Sequence, residues 1–150
     1  MINSFFLPYM VYSPDRMAVL MLNPDVKVSV DEISIWQTYD GGTSWQEKES
    51  NLPDMPIRWA IYHPQNSMQA MLATEIGIWT TANLNVPEPV WTPSVDGMAN
   101  VRVDMIKIRT SDNAVLAATQ GRGLFTAIYE LESQQQSQTI NLNSGYQFVS

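Results

Sequence analysis

The chain contains no cysteine, which excludes disulfides, thiol nucleophiles and zinc–thiolate sites together. It has no apolar run approaching the roughly 18 residues that a helix needs to span a bilayer, so no membrane span is expected. Basic residues are scarce: eight against fifteen acidic ones, for a net charge of −7 over 150 residues. Binding to nucleic acid draws on clustered Lys and Arg that release counterions, and an anionic membrane surface makes the same demand, so neither is an expected partner. Charged residues are only 15% of the chain, below the roughly 25% of ordinary soluble domains. Sustained 3.6-residue periodicity with capping residues is missing as well. What is present is a 45% hydrophobic content, enough for a core and too much for wholesale disorder. The length suits one domain. A surface rich in Ser, Thr, Asn and Gln is more typical of secreted and cell-surface β proteins than of helical cytosolic ones. The segment from Met1 to Pro8 has no basic start, and its proline interrupts the apolar run, so it makes a poor signal peptide.

The sequence repeats itself. Val11-Tyr12-Ser13-Pro14 matches Ile61-Tyr62-His63-Pro64 at an offset of 50, and Ile61 to Thr74 matches Ile106 to Thr119 at an offset of 45. Glu32-Ile33-Ser34-Ile35-Trp36 matches Glu75-Ile76-Gly77-Ile78-Trp79, and the latter aligns with Gly123-Leu124-Phe125 after a one-residue insertion. The first copy carries an enlarged loop across Asn23 to Asp31. Trp45 and Trp91 mark equivalent late positions. Each unit reads as β. Val19 to Leu22, Ala70 to Ala73 and Val115 to Ala118 are short apolar runs, expected as strands buried on both faces. Each is followed by a turn and a second strand, and Gly121 and Gly123 supply the positive φ that a tight turn needs. A period of 45 to 50 residues with about four strands per unit predicts propeller blades. The expected fold is all-β: a partial β-propeller of about three four-stranded blades over residues 1–131, the last incomplete. Trp36 and Trp79 are expected to be equivalently buried between blades. Residues 132–139, rich in Gln and Ser, read as a polar linker. Residues 140–150 alternate like the start of a further β module.

The first repeat contains Thr38-Tyr39-Asp40-Gly41-Gly42-Thr43-Ser44-Trp45. Asp40 can fold its carboxylate onto backbone N–H groups ahead of it, Gly41 and Gly42 allow unusual dihedrals, and Trp45 is placed to anchor the next strand in the layer between blades. The segment resembles the Asp-box of BNR-repeat propellers, with Thr38, Asp40, Gly41, Gly42, Ser44 and Trp45 as its structural residues. From about Val11 to Tyr129 the chain is similar to that superfamily of sialidases, sortilin ectodomains and xyloglucan-hydrolysing enzymes. The second and third units depart from it, since neither carries Asp-Gly-Gly. Three units do not close a ring, so the resemblance implies the C-terminal part of a longer propeller. It also implies a secreted or cell-surface location. In such families the Asp-box is a turn device without catalytic duty.

The chemistry-bearing residues then divide. Asp25, Asp31 and Glu32 gather in the enlarged loop, where long loops on rigid scaffolds carry function. They form a possible ligand loop. His63 differs from its sibling positions and reads as a surface or strand-end choice. Arg58 and Arg102 hold matching places and suggest a repeated structural ion pair. No metal site or cofactor is expected: six to eight oxygens for calcium are not in view, nor is a convergent acid and base for a glycosidase. The resulting expectation is a non-catalytic extracellular interaction or carbohydrate-binding scaffold with a glycan or protein ligand. The alternative is a fragment of a secreted glycoside hydrolase, xyloglucanase-like or sialidase-like, with its catalytic residues mainly in other blades. Exposed strand edges offer a route to self-association.

Overall fold

A computed structural model describes residues 9–15, 17–22, 33–94, 97–98 and 100–131. The proposed linker at 132–139, the stretch 140–150 and the acidic loop with Asp25, Asp31 and Glu32 lie outside the described residues. Eleven strands form three antiparallel sheets. The first holds β1 (Tyr9–Tyr12), β2 (Val19–Leu22), β3 (Ile35–Thr38) and β4 (Gln46–Glu47), in that order. The second holds β5 (Ile57–His63), β6 (Asn66–Thr74), β7 (Gly77–Thr81) and β8 (Thr92–Ser94). The third has β9 (Val103–Arg109), β10 (Ala114–Thr119) and β11 (Leu124–Ile128), without a fourth strand among the described residues. Among the described residues there is no helix. Each sheet is a meander; β5 lies nearest β9, and β1 and β2 lie equally near β5. The chain is a partial β-propeller of three blades, the last incomplete.

Repeat chemistry sets the turns. Thr74 donates its hydroxyl to the carbonyl of Gly77 (2.8 Å), and Thr119, its repeat mate, donates to that of Gly123 (2.7 Å). The same threonine thus closes the same turn in two blades. The positive φ of Gly121 and Gly123, 82° and 78°, fits the sharp reversal between β10 and β11.

Two apolar seams hold the blades together. Side chains alternate across a strand, so the middle blade can serve both. Ala60, Tyr62, Ala70, Leu72 and Trp79 face Leu20, Leu22 and Ile35 of the first blade. Ile61, Met71, Ala73 and Ile78 face Val103, Ile106, Val115 and Phe125 of the third. This sandwiching makes β7 buried at every residue, whereas β10 alternates: Val115 and Ala117 are buried, Leu116 and Ala118 only half so. The expectation that Val115 to Ala118 is buried on both faces is therefore corrected, because no fourth blade covers its outer face among the described residues. The expected equivalence of Trp36 and Trp79 is corrected for the mirror-image reason. Trp79 points toward the preceding blade and is 9% exposed. Trp36 points the same way from the first blade, where no blade is described, and stays half-buried. Trp45 departs likewise: it is half-buried, while its mate Trp91 fills the first seam.

Candidate interaction surfaces

The turn between β3 and β4 is built around Asp40. Its Oδ1 accepts from the Thr38 hydroxyl (2.8 Å) and the Ser44 amide (2.8 Å), and its Oδ2 from the Ser44 hydroxyl (2.5 Å). Thr38 Oγ1 in turn accepts from the Gly42 amide at 3.0 Å. Gly41 and Gly42 take φ of 71° and 94°, a region that costs an L-residue strain. A Cβ on Gly42 would also stand 3.6 Å from the Trp45 ring. Hydrogen bonds to the charged form, led by those from Ser44, lower the Asp40 pKa to about 2. A carboxyl so acidic holds no proton to donate near neutrality, and its oxygens already accept three bonds. The six residues Thr38, Asp40, Gly41, Gly42, Ser44 and Trp45 therefore meet in one turn whose chemistry is directed inward.

Polar groups also strap the first seam. Gln37 is buried and donates to the Tyr62 hydroxyl (3.1 Å). The Tyr39 hydroxyl lies 2.7 Å from Gln37 Oε1 and 2.5 Å from Asn85 Oδ1. Asn51 brackets the backbone of Trp91, donating to its carbonyl (2.8 Å) and accepting from its amide (2.7 Å). The Trp91 indole donates to the Lys48 carbonyl at 2.8 Å. Lys48 itself is buried, and its ammonium donates to the carbonyl of Val86 at 2.8 Å. Burial lowers its pKa. Nothing in the sequence pattern singled out Lys48 or Asn51; their partners lie about 40 residues away, and only the stacking of blades brings them together.

His63 closes the second seam. The expectation of a surface position is corrected: it ends β5, yet its relative exposure is 0%. One ring nitrogen, Nε2, lies 3.1 Å from the Tyr129 carbonyl, and Nδ1 accepts from the Gln65 amide at 3.1 Å. That pairing suits a neutral imidazole with its proton on Nε2. Burial lowers its pKa. The ring also meets Tyr129 edge to face, with centroids 4.7 Å apart.

The arginines are engaged, though not as a repeat. Arg58 binds Glu75, with Nε 2.6 Å from Oε1. Arg102, its expected mate, binds Asp104, two residues on, at 2.6 Å. The register sets Val103 opposite Thr119 as Ile57 stands opposite Thr74, so Asp104 and not Arg102 takes the place of Arg58, and the expected repeated ion pair is corrected. Lys107 lies 5.1 Å from the Trp59 ring centroid, a cation–π contact between neighbouring inner strands. Among the described residues no group of three or more His, Asp or Glu is placed to hold a metal.

Among the described residues, surface remains uncovered at both ends of the array. On the outer face of the third blade a cleft of about 720 Å³ opens beside Lys107, Leu116, Thr126 and Ile128. On the outer face of the first blade stand Met10, Tyr12 and Trp36, placed there by the register of β1, β2 and β3. Among the described residues no helix is long and apolar enough to cross a membrane.

No protein-family model matches the chain, and no curated protein matches it. Among solved structures it is similar to the β-propeller domain of Cps50 (Swd1) from Myceliophteria thermophila, at 19% identity and a TM-score of 0.53. That similarity covers 79% of this chain and 37% of the other, so the chain spans a little over a third of the length of the structure it matches. At this identity the likeness establishes a fold, and the fold is the β-propeller.

Proposed function

We propose that the chain is a non-catalytic interaction scaffold, acting in a secreted or cell-surface setting, with a protein or glycan as its ligand. The observation that carries this reading is where the reactive side chains are spent. Asp40 is consumed by its own turn, His63 and Lys48 by seams, and Arg58 and Arg102 by ion pairs. What faces outward is apolar and polar surface, with exposed charges such as Arg109 and Asp112 paired to each other, the material of recognition. Rigid blades with one enlarged loop are a common way to present a binding segment. We assign ligand contact to that loop through Asp25, Asp31 and Glu32, and a purely structural part in turn formation to Thr38, Asp40, Gly41, Gly42, Ser44 and Trp45. The neutral-polar composition and the Asp-box resemblance support the extracellular setting.

The test is binding by the 150-residue chain to an array of glycans and extracellular proteins. Joint replacement of Asp25, Asp31 and Glu32 by alanine should abolish any binding found while leaving the melting temperature unchanged. Binding that survives this replacement but is lost in an Asp40→Ala variant that still folds would contradict the assignment.

A further inference from the structure

We propose that His63 is an acid-sensitive latch, whose protonation frees the end of the third blade from the middle blade and loosens the second seam while the first stays closed. The argument begins with a closed circuit of hydrogen bonds. Nε2 of the His63 ring donates to the Tyr129 carbonyl at 3.1 Å, and the Tyr129 amide donates to the Asn113 carbonyl at 2.9 Å. Asn113 Nδ2 lies 3.4 Å from Gln65 Oε1, and the Gln65 amide returns to His63 Nδ1 at 3.1 Å. Four residues thus tie together the end of β5, the β5–β6 hairpin, the β9–β10 hairpin and the residue just past β11. All four belong to the two blades that the circuit joins.

The circuit closes only around a neutral ring. A backbone N–H donates to Nδ1, so that nitrogen must keep its lone pair. A second proton there sets N–H against N–H, and the bond from Gln65 is lost. Little stabilises the new charge in place. The ring is 0% exposed and packs edge to face on Tyr129, and among the described residues no carboxylate bonds it. An isolated buried charge is costly, so acid favours the arrangement in which water reaches the imidazolium.

Charged groups on the surrounding elements do not supply this response. Asp15 in the β1–β2 hairpin and Asp112 in the β9–β10 hairpin are held below the ordinary carboxylate range, chiefly by Ser13 and Arg109 respectively. Both therefore keep their charge in mild acid. On β9, Asp104 pairs with Arg102, Lys107 lies over the Trp59 ring, and Arg109 pairs with Asp112. Glu130 stands exposed beyond Tyr129. His63 is the only histidine in the chain, and burial lowers its pKa from the ordinary 6.5.

The first seam is fastened differently. Ser13, which holds the His63 position in the first blade, uses its hydroxyl inside its own hairpin, on Asp15 and the Ala18 amide. Gln37 on Tyr62 and Asn51 on Trp91 strap that seam, and these neutral pairs are indifferent to mild acid. The array is therefore closed at both seams at neutral pH and loosened at one in acid. A ligand gripped across the second and third blades would be held in the first state and let go in the second. The latch follows from the seam geometry and does not rest on the ligand reading.

Amide exchange followed by NMR on the isotope-labelled full chain, at pH 7.5 and 5.5 and corrected for the intrinsic pH dependence of exchange, reads each seam separately. The Gln65 and Tyr129 amides should open several-fold more at the lower pH, up to about tenfold for one unit below 6.5. The Trp91 amide, in the first seam, should not change. Ring nitrogen shifts should show the His63 proton on Nε2 at pH 7.5, with the second proton arriving over the range in which Tyr129 opens. His63→Gln, whose side-chain amide can donate and accept in the same places without titrating, should flatten the response. Unchanged exchange at Gln65 and Tyr129 overturns the proposal. So does a rise shared equally by Trp91, which would mean global unfolding, and so does an undiminished rise in His63→Gln. A ring with its proton on Nδ1 at neutral pH overturns it independently of any variant.

Discussion

Trp36 and Trp79 hold the same repeat position and the same side chain, so truncating each compares an uncovered face with a covered one at constant chemistry. Trp79→Ala removes an indole that is 9% exposed from the seam formed with Leu20, Leu22, Ile35 and Leu72. Deleting a buried aromatic, with the cavity it leaves, costs about 3–5 kcal/mol. Its indole nitrogen has no hydrogen-bond partner among the described residues. No bond is lost with it, and the low end, about 3 kcal/mol, is expected. Trp36 is only half-buried. It leaves no enclosed cavity, and the area term alone gives about 1–1.5 kcal/mol. For a domain of this size each kcal/mol moves the melting temperature by roughly 2–4 °C. The two variants should therefore differ by at least about 3 °C. Urea unfolding followed by far-ultraviolet circular dichroism, in dilute protein so that association does not contribute, provides the comparison. Equal losses of stability would refute the assignment of covered and uncovered faces.

Further outcomes follow from individual groups. Trp79→Phe should cost less than about 1 kcal/mol, since Phe125 fills the sibling site and the lost N–H is unpartnered; a melt as poor as that of Trp79→Ala would show that the indole packs specifically. Asp40 has a folded pKa lowered to about 2 from 3.8, so the stability it confers is complete above pH 3.8 and is lost as pH falls toward 2. Asp40→Asn should flatten that acid limb in pH-dependent melts, and an unaltered limb would place the acid sensitivity elsewhere. The folded pKa of His63 also lies below its ordinary 6.5, so its contribution is complete above pH 6.5 and declines as pH falls below that value. His63→Gln should remove the melting-temperature drop between pH 7.5 and 5, and a persistent drop would show that another group is responsible. Limited proteolysis should cut first within 132–139, where no apolar anchor occurs, leaving a core that ends near Tyr129; cleavage first at 23–31 would contradict this.

The architecture could be read from the sequence because it rests on local, repeated signals. Gly77-Ile78-Trp79 and Gly123-Leu124-Phe125 announce the same turn and strand, and Thr74 and Thr119 make the same bond in both. The Asp40 turn was visible because all its partners fall within seven residues of one another. What the repeat could not convey was position in the array. Trp36 and Trp79 look alike in sequence, and they differ only because the middle blade has a neighbour on each side. The seams were illegible for a related reason. Lys48, Asn51 and His63 acquire their roles from backbone groups of Val86, Trp91 and Tyr129, and a backbone acceptor leaves no trace in residue identity. Arg58 and Arg102 look like mates in sequence, yet the register of β9 on β10 gives the place of Arg58 to Asp104, which residue spacing does not convey.

The central functional claim is that this chain recognises and does not react. The most direct measurement is release of sugar from chromogenic sialoside and xyloglucan oligosaccharides by the purified 150-residue chain, beside a heat-denatured control. Native and denatured protein should give identical baselines. Turnover by the native chain that disappears on Asp104→Asn would contradict this claim.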